Sequence, residues 1–599
     1  MKLIEWCKNN WMFVVVLGFL AFLNYLYLSP LESLPSPIYG GDYYYQLGQT
    51  NHFKFGGNPF ESATILGALP GYFILYTIGA GLIAKLGFDA IAAHFIFSYI
   101  ILLLGAIVFY TLVNKLFKSK VLGLVGVLVF FMADKFPILK YTTFAELLIM
   151  PLIILLLYNF IKDTSKRNIL FLGIGYGLAG LTHSVSFIGS TFLIFFAFLW
   201  YGLRSNGDLK SKIMPYFIVA FVGGLIAMAY WAGPIFVYQG ETSLHYNEWN
   251  NVDWSDSGIQ FEFVKDVIKG GLFNFVGVFS AFISLFTLLG LAGLFLRRKT
   301  KEFGAESYIK FLLVSSLVIT FHYLVTVNLF GIHFIPNRMS SMLLLPVWSL
   351  LFVYGVNFGF RFSKKFKLTK TQCVSLIILG LLAFQVSAYS SNSVGQWYTV
   401  GQTGLPEHIV DSSDYLISNG NINDVVLTTK ELGFSINALS GRKLISVRRA
   451  QNDPFIDMDS RELDQAIILY GNNDVVRKSL LDKYSVDYVY WDSFWIQSEY
   501  TIDNSGRVIS SFDPLFVFDS ERNREILDKN GVKYILQNTW VDPSLRGENY
   551  QTFDLLLISP ENYQSFETPW NSGLGKYLTE VFRSENDDRV LSKIYKVNL

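Results

Sequence analysis

A short aromatic stretch near the amino terminus carries the residue best suited to acid-base chemistry. Asp42 stands in Ile-Tyr-Gly-Gly-Asp-Tyr-Tyr-Tyr-Gln, residues 38–46, after the first apolar run of the chain ends at Leu28. Gly40 and Gly41 allow a tight backbone turn, and the neighbouring tyrosines suit the headgroup layer of a membrane. The pattern predicts a positioned carboxylate that acts as a general base at a membrane surface. The structural alternative is an Asp that caps a short helix.

The composition places the chain among membrane proteins. It has 599 residues, of which 52% are hydrophobic, 17% aromatic and only 16% charged, and its mean hydropathy is +0.37. A soluble globular protein carries more charge and less apolar surface, so the chain is predicted to be polytopic. The net charge of +1 gives no reason to expect nucleic acid as a partner. Two cysteines, Cys7 and Cys373, support neither a disulfide framework nor a cysteine-based metal site.

Apolar runs set the expected topology. Most of them are long enough to cross a hydrocarbon layer of about 30 Å as helices, and they fall at residues 11–28, 66–84, 90–114, 119–133, 146–161, 169–183, 184–203, 213–238, 271–296, 309–330, 339–360 and 371–389. The basic loops share the side of the amino terminus only if 66–84 is an interfacial or re-entrant segment. We therefore predict about 11 transmembrane helices, a cytoplasmic amino terminus, an outer carboxyl terminus, and a first outer loop at 29–89 that carries Asp42.

The character of the chain changes near residue 390. Apolar clusters at 424–429, 443–447 and 486–490 alternate with helical patterns, which predicts an α/β domain over 390–599 after a membrane domain over 1–389. Residues 481–489 and 527–535 resemble each other, and we interpret them as two similar helix-to-strand joints of one sheet. A Gly-rich phosphate loop between a strand and a helix is not found in 390–599, so this domain is not predicted to bind a nucleotide.

The layout resembles the GT-C superfamily of polytopic glycosyltransferases, which use polyprenyl-phosphate-linked sugars. The resemblance covers residues 11–390 and is carried by Gly-Gly-Asp42-Tyr, by Asn58-Pro59-Phe60 and Leu69-Pro70-Gly71-Tyr72, and by Thr143-Phe-Ala-Glu146-Leu. It implies that Asp42 is the catalytic Asp of the first outer loop. It also implies that Asp134 or Glu146 is the acidic residue of the second outer loop, where both are candidate ligands of a divalent metal ion such as Mg²⁺ or Mn²⁺.

Residues 490–495, Tyr-Trp-Asp-Ser-Phe-Trp, share part of the Trp-Trp-Asp-Tyr-Gly motif of oligosaccharyltransferase catalytic subunits. The first Trp and the Gly of that motif are missing, and the segment lies about a hundred residues after the last apolar span. We interpret the segment as the packed aromatic end of a strand.

Further polar residues on the predicted outer side are candidates for substrate binding. Arg338 opens the span 339–360, where a guanidinium can contact a lipid phosphate through two hydrogen bonds, and an interface anchor is the alternative. The other candidates, each with a structural alternative such as an interhelical hydrogen bond, a solvated Lys or an interfacial Trp, are Lys140, His183, Glu241, His245 and Trp249. Glu241 and His245 are four residues apart and share a face if they are helical.

These residues predict a membrane glycosyltransferase that moves a sugar from a polyprenyl-phosphate-linked donor to a hydroxyl or amide of a glycan, lipid or protein acceptor on the extracytoplasmic side. A lipid-linked-sugar flippase or another transporter is the first alternative, but it predicts an inverted repeat and charges at the middle of the bilayer, which the sequence does not show. A hydrolase with its site in the soluble domain, or a membrane-anchored binding protein, are the others.

Overall fold

The chain forms two compact units. The helical unit comprises residues 1–30, 95–231 and 253–395, and the mixed unit comprises residues 31–94, 232–252 and 396–599. The mixed unit therefore contains most of the predicted first outer loop together with the polar carboxyl-terminal third. The boundary at 389/390 stays a prediction. The computed structural model describes residues 2–132, 135–204, 208–239, 254–274, 277–296, 303–360, 369–451, 455–502, 508–511, 514–540, 552–558 and 568–599.

The first 401 residues are almost entirely helical. Three short π-helical segments interrupt the regular helices, at Ala145–Ile149, Phe198–Gly202 and Gly233–Val237. The α-helices are, in chain order, α1 Lys2–Asn9, α2 Trp11–Leu28, α3 Asp42–Lys54, α4 Ile74–Lys85, α5 Ala90–Phe117, α6 Lys120–Phe130, α7 Tyr141–Phe144, α8 Met150–Lys162, α9 Lys166–Thr182, α10 Ser184–Ala197, α11 Leu209–Ala232, α12 Ser257–Leu272, α13 Val278–Leu296, α14 Ala305–Thr320, α15 Tyr323–Phe330, α16 Pro336–Gly359, α17 Lys370–Asn392 and α18 Gln396–Gly401.

Within the described residues, nine helices are long and apolar enough to cross a membrane. They are Trp11–Leu28, Ala90–Phe117, Tyr141–Lys162, Ser184–Gly202, Leu209–Val237, Val278–Leu296, Ala305–Phe330, Pro336–Gly359 and Gln372–Asn392. The chain is thus a multi-pass membrane protein. The two other predicted spans are present as shorter helices, α6 with 11 residues and α9 with 17. In place of the apolar run 66–84, α4 has 12 residues, about 18 Å, which is too short to cross a hydrocarbon layer of about 30 Å.

Cysteine labelling tests the side assigned to the segment 66–84. In a variant that lacks Cys7 and Cys373, single Asn58→Cys and Leu86→Cys substitutions are both expected to react with a membrane-impermeant maleimide from outside, since a segment that does not cross leaves both flanks on one side. Both positions are exposed. Reaction of the Leu86→Cys variant only after the inner face of the membrane is opened would contradict the topology.

The carboxyl-terminal part of the mixed unit alternates helices and strands. Its helices are α19 Glu407–Asn419, α20 Lys430–Ser440, α21 Met458–Tyr470, α22 Asp474–Lys483, α23 Trp495–Glu499, α24 Glu521–Lys529 and α25 Ser572–Gly575, with a 3₁₀ turn at Arg449–Gln451. Its strands are β1 Val425–Leu427, β2 Lys443–Leu444, β3 Val486–Asp492, β4 Tyr500–Ile502, β5 Val508–Ser511, β6 Phe516–Phe518, β7 Tyr534–Trp540, β8 Thr552–Ile558, β9 Leu578–Asn586 and β10 Arg589–Val597.

The main sheet has the order β2-β1-β3-β10-β9. β1 runs parallel to β2 and β3, and the hairpin of β9 and β10 adds antiparallel to β3. β1 is buried throughout, as expected for a parallel strand that is covered on both faces. The amino-terminal loop takes part in this sheet region, because Ile65 forms an isolated parallel bridge with Leu444 and α3 packs on α20.

The two similar joints at 481–489 and 527–535 belong to different sheets, so the prediction of one sheet is wrong. The first joint leads from α22 into β3 of the main sheet, whereas the second leads from α24 into β7 of a three-stranded sheet of order β6-β8-β7. The repeated sequence specifies a helix followed by a strand. The partner of each strand depends on residues far away in the chain, which a local pattern does not contain.

Candidate functional site

Asp42 is the first residue of α3, and the turn before it needs glycine. Gly41 occupies the N-cap position with φ of 105°, a backbone conformation that disfavours any residue with a Cβ atom. No side chain caps this helix end. The alternative in which Asp42 itself is the cap is therefore wrong. In the first turn, the carboxylate lies at the positive end of the helix dipole, where a negative charge is stabilised.

Tyr72 fixes one oxygen of the Asp42 carboxylate. Its hydroxyl donates a hydrogen bond of 2.8 Å to Oδ1 of Asp42, and its ring lies 4.5 Å from the ring of Tyr45. The side chain of Gln46 donates to the Asp42 carbonyl oxygen at 2.9 Å and closes the first turn. Asp42 is half-buried. The carboxylate thus has a defined orientation and remains accessible, which suits a proton acceptor.

Glu146 lies in the π-helical segment Ala145–Ile149 between α7 and α8. Pro151 follows at the start of α8 and provides no backbone N–H for Leu147, four residues earlier, which accounts for the wider turn at this place. Gly105 of α5 accommodates the displaced backbone, because a Cβ atom there would lie 2.5 Å from the Leu147 carbonyl oxygen. Segments of this kind are frequent at functional sites.

A cavity of about 410 Å³ in the helical unit includes Glu146. Three elements supply its polar lining: the loop before α7, helix α12 and the first turns of α16. The residues with polar side chains are Lys135, Glu146, Asp266, Ser340, Ser341 and Trp348. Carboxylates, hydroxyls, one ammonium group and an indole ring together provide acceptors, donors and a flat apolar face, which is the combination that a polar organic ligand requires.

The other predicted residues of the helical unit lie at helix ends. Arg338 is exposed in the first turn of α16, three residues before Ser341 of the cavity and thus on the same helix face. His183 is buried and caps α10, because its Nδ1 accepts a hydrogen bond of 3.0 Å from the Val185 amide. Lys140 is half-buried at the N-cap position of α7. Their roles in substrate binding stay predictions.

Four predicted residues, Asp134, Glu241, His245 and Trp249, lie outside the described residues. Across the ranges that the structure describes, no group of three or more His, Cys, Asp or Glu residues has the arrangement of a metal site. The described residues therefore do not fit the predicted divalent ion, and the mechanism below contains no step through a metal.

Sequence reasoning missed a group of charges at the carboxyl ends of the parallel strands. Lys430 and Glu431 follow β1, Arg448 and Arg449 follow β2, and Asp492 ends β3. This edge of an open α/β sheet is where ligands commonly bind. The available signal was the position of charged pairs directly after predicted apolar strands, but the sequence does not show that the three strand ends meet.

Most of these charges form buried ion pairs. The Glu462 carboxylate pairs with Lys430 at 3.1 Å and with the Nε atom of Arg449 at 3.0 Å, and both Lys430 and Glu462 are inaccessible to solvent. Arg449 also pairs with Asp459 at 2.6 Å. These carboxylates raise the pKa of the Arg449 guanidinium against the opposing effect of burial.

Asp492 is buried at the end of β3 and accepts three hydrogen bonds. They come from the Tyr490 hydroxyl at 2.8 Å and the Phe494 amide at 2.7 Å, and Nε2 of His408 lies 3.0 Å from the second carboxylate oxygen. The ring of Trp495 is buried too. The interpretation of residues 490–495 as a packed aromatic strand end agrees with this burial.

A buried cluster of His52, Glu61 and Lys443 joins α3 to β2. Nε2 of His52 lies 3.4 Å from Oε1 of Glu61 and 3.4 Å from Nζ of Lys443, and Nδ1 of His52 lies 3.0 Å from the Gly441 carbonyl oxygen. Burial, with the Lys443 charge as a second cause, lowers the pKa of His52 to about 4, and burial lowers the pKa of Lys443 to about 8.

This cluster predicts a loss of stability in mild acid. The unfolded chain takes up a proton at His52 near pH 6.5, whereas the folded protein resists protonation down to about pH 4. We therefore expect the thermal unfolding midpoint to fall as the pH decreases from 6.5 to 4, and to fall less steeply in a His52→Gln variant. Equal slopes for the two proteins, followed by tryptophan fluorescence in detergent, would contradict the prediction.

Comparison with known proteins gives one sequence relative and several similar structures. The chain is 41% identical over 110 residues to the uncharacterised protein MJ1080 of Methanocaldococcus jannaschii, and the match covers 18% of this chain and 79% of MJ1080. No family model matches the sequence.

Among solved structures, ArnT from Cupriavidus metallidurans in the apo state superposes with a TM-score of 0.50 at 9% identity, over 92% of this chain and 98% of ArnT. ArnT bound to undecaprenyl phosphate gives the same TM-score at 10% identity, over the same shares of the two chains. The Archaeoglobus fulgidus oligosaccharyltransferase in the apo form gives 0.48 at 13% identity, over 98% of this chain and 81% of that chain.

The predicted fold, a polytopic GT-C-like helical membrane protein with a carboxyl-terminal α/β part, is confirmed by the nine long apolar helices, the sheets after residue 420 and the likeness to ArnT. The chain belongs to the family of MJ1080 from Methanocaldococcus jannaschii and has the GT-C fold.

Proposed function

We propose that the protein is a membrane glycosyltransferase that transfers a sugar from a polyprenyl-phosphate-linked donor to an acceptor on the extracytoplasmic side. The observation that carries the proposal is the geometry of Asp42, a half-buried carboxylate that a glycine turn and the Tyr72 hydroxyl hold at the start of α3. The GT-C fold supports it, and ArnT, which has the same fold, has been crystallised with undecaprenyl phosphate.

In the proposed reaction Asp42 is the general base. Its free oxygen position accepts the proton of the acceptor hydroxyl while the acceptor oxygen attacks the anomeric carbon of the donor sugar. The bond between the anomeric carbon and the phosphate oxygen breaks, and the lipid phosphate leaves with the electron pair. Asp42 does not bond to the sugar, so a single displacement accounts for all atoms and charges.

The helical unit is assigned to the donor. The cavity beside Glu146 supplies hydroxyl, carboxylate and ammonium groups for a sugar, and the indole of Trp348 supplies a flat face. Glu146 is the second acidic residue of the proposal. Arg338 is assigned to the phosphate, because a guanidinium can hold two phosphate oxygens and stabilise the charge that develops on the leaving group.

Arg338→Lys is expected to weaken donor binding on the order of 10-fold although the positive charge is kept, since Lys lacks the planar fork that forms two parallel hydrogen bonds. A titration with a polyprenyl-phosphate sugar measures this. Arg204→Lys is the matched control, because Arg204 is an exposed Arg of the same unit on the predicted opposite side of the membrane. Unchanged affinity for both Arg338→Lys and Arg338→Ala would make Arg338 an interface anchor.

The function is tested with the purified protein in lipid vesicles and a set of radiolabelled polyprenyl-phosphate sugars. A transferase is expected to release lipid phosphate and move the label to an acceptor, and the Asp42→Asn variant should do neither. Label that crosses the bilayer while it stays on the lipid would indicate a flippase instead. Label that is bound but neither transferred nor moved would indicate a binding protein.

A further inference from the structure

The turn before Asp42 is enclosed by side chains of the carboxyl-terminal segment. A Cβ atom on Gly40 would overlap with Nη1 of Arg448, so the guanidinium occupies the space that any other residue at position 40 would need. The adjacent ring of Tyr39 lies 5.2 Å from the ring of Phe494. The two residues before the N-cap of α3 are therefore both in contact with residues more than 400 positions later in the chain.

Glu431 holds the Arg448 side chain in this place. The Nε atom of Arg448 lies 2.8 Å from Oε1 of Glu431, and the Glu431 side chain is only 2% exposed. Glu431 stands in the first turn of α20, which Thr429 caps, and the helix dipole stabilises a carboxylate there. Both charges come from ends of regular elements, α20 and the strand β2, so their positions are set by the sheet and not by a flexible loop.

The same carboxylate acts on the other side of the turn. Burial, followed by the negative charges of Asp492 and Glu431, raises the pKa of the Tyr39 hydroxyl. Tyr39 thus stays neutral beside the Glu431 carboxylate, and the guanidinium of Arg448 is the cation of this group. Ser36 closes the turn from its own side, because its hydroxyl donates to the Gly40 carbonyl oxygen at 3.3 Å.

We propose that Arg448 and Glu431 are positioning residues for Asp42. The pair holds the Gly40-Gly41 turn, the turn sets where α3 begins, and the first residue of α3 is the proposed base. The inference rests on the proposed function and adds to it a role for the carboxyl-terminal segment, which completes the Asp42 turn and does not touch the substrate. Small shifts of a base cost large factors in rate, because proton transfer needs hydrogen-bond contact.

Three variants test this role. Arg448→Ala and Glu431→Gln remove one partner each, and Gly40→Ala leaves both charges in place but forces the guanidinium out. Each is expected to lower kcat on the order of 10-fold with little change of the KM for the donor, because the chemical step and not donor binding depends on the turn. In an Asp42→Asn background the same changes should have almost no further effect, since they act through Asp42.

Amide hydrogen exchange separates the positioning role from the catalytic proposal. Peptides that cover residues 34–47 are expected to exchange faster in Arg448→Ala and Gly40→Ala, but not in Arg524→Ala, which breaks an exposed ion pair with Asp519 in the same unit. Unchanged exchange in both Arg448→Ala and Gly40→Ala would overturn the positioning role. Faster exchange together with a fully active Asp42→Asn variant would retain the role of Arg448 in holding the turn and reject Asp42 as the base.

Discussion

An Asp42→Asn variant is expected to lose turnover by on the order of 10²-fold or more, because an amide keeps the shape of the side chain but cannot accept the acceptor proton. The Tyr72 hydroxyl can still donate to the amide oxygen, so the turn and the start of α3 should be preserved. Gly41 and not Asp42 occupies the N-cap position, so the substitution removes no cap from the helix. Steady-state transfer of label from a polyprenyl-phosphate sugar measures the loss.

Tyr72→Phe is the matched comparison for Asp42→Asn. It removes one hydrogen bond to Asp42 and leaves the carboxylate able to accept a proton, so we expect a much smaller loss of turnover than in Asp42→Asn. Equal thermal unfolding midpoints for the three proteins establish that folding is intact. Near-normal transfer by a well-folded Asp42→Asn variant would remove Asp42 from the mechanism.

Glu462→Gln is expected to cost about 3–5 kcal/mol of the free energy of unfolding of the mixed unit, as the removal of one partner of a buried ion pair does. The substitution leaves the buried ammonium of Lys430 and the guanidinium of Arg449 without the charge that both contact. Asp459 still pairs with Arg449, so Lys430 is the main source of the cost. The readout is the urea midpoint of tryptophan fluorescence in detergent.

Glu580→Gln is the control for Glu462→Gln. Glu580 pairs with Arg583 at 2.7 Å on the exposed face of β9, where water screens the two charges and little stability depends on them. We expect its urea midpoint to stay close to that of the unchanged protein. If Glu462→Gln also left the midpoint unchanged, the pair of Lys430 and Glu462 would contribute nothing to the stability of the unit.

The helical framework was predictable because its signal is local. A run of apolar residues long enough to cross a hydrocarbon layer forms a helix wherever it stands, and the predicted runs at 11–28 and 339–360 correspond closely to Trp11–Leu28 and Pro336–Gly359. Helix length was less predictable: the run at 119–133 is a helix only from Lys120 to Phe130. Helix ends depend on caps and on packing as well as on hydropathy.

By itself, the sequence determined the membrane class, the GT-C fold and the glycine turn before Asp42, since each depends on composition or on neighbouring residues. Only the tertiary structure showed that Arg448 and Glu431 reach this turn and that Glu146 lies on a π-helical segment beside a cavity. These contacts join residues that are distant in the chain. No periodicity marks such pairs, because the approach of two strand ends or helix ends is decided by the packing of the whole unit.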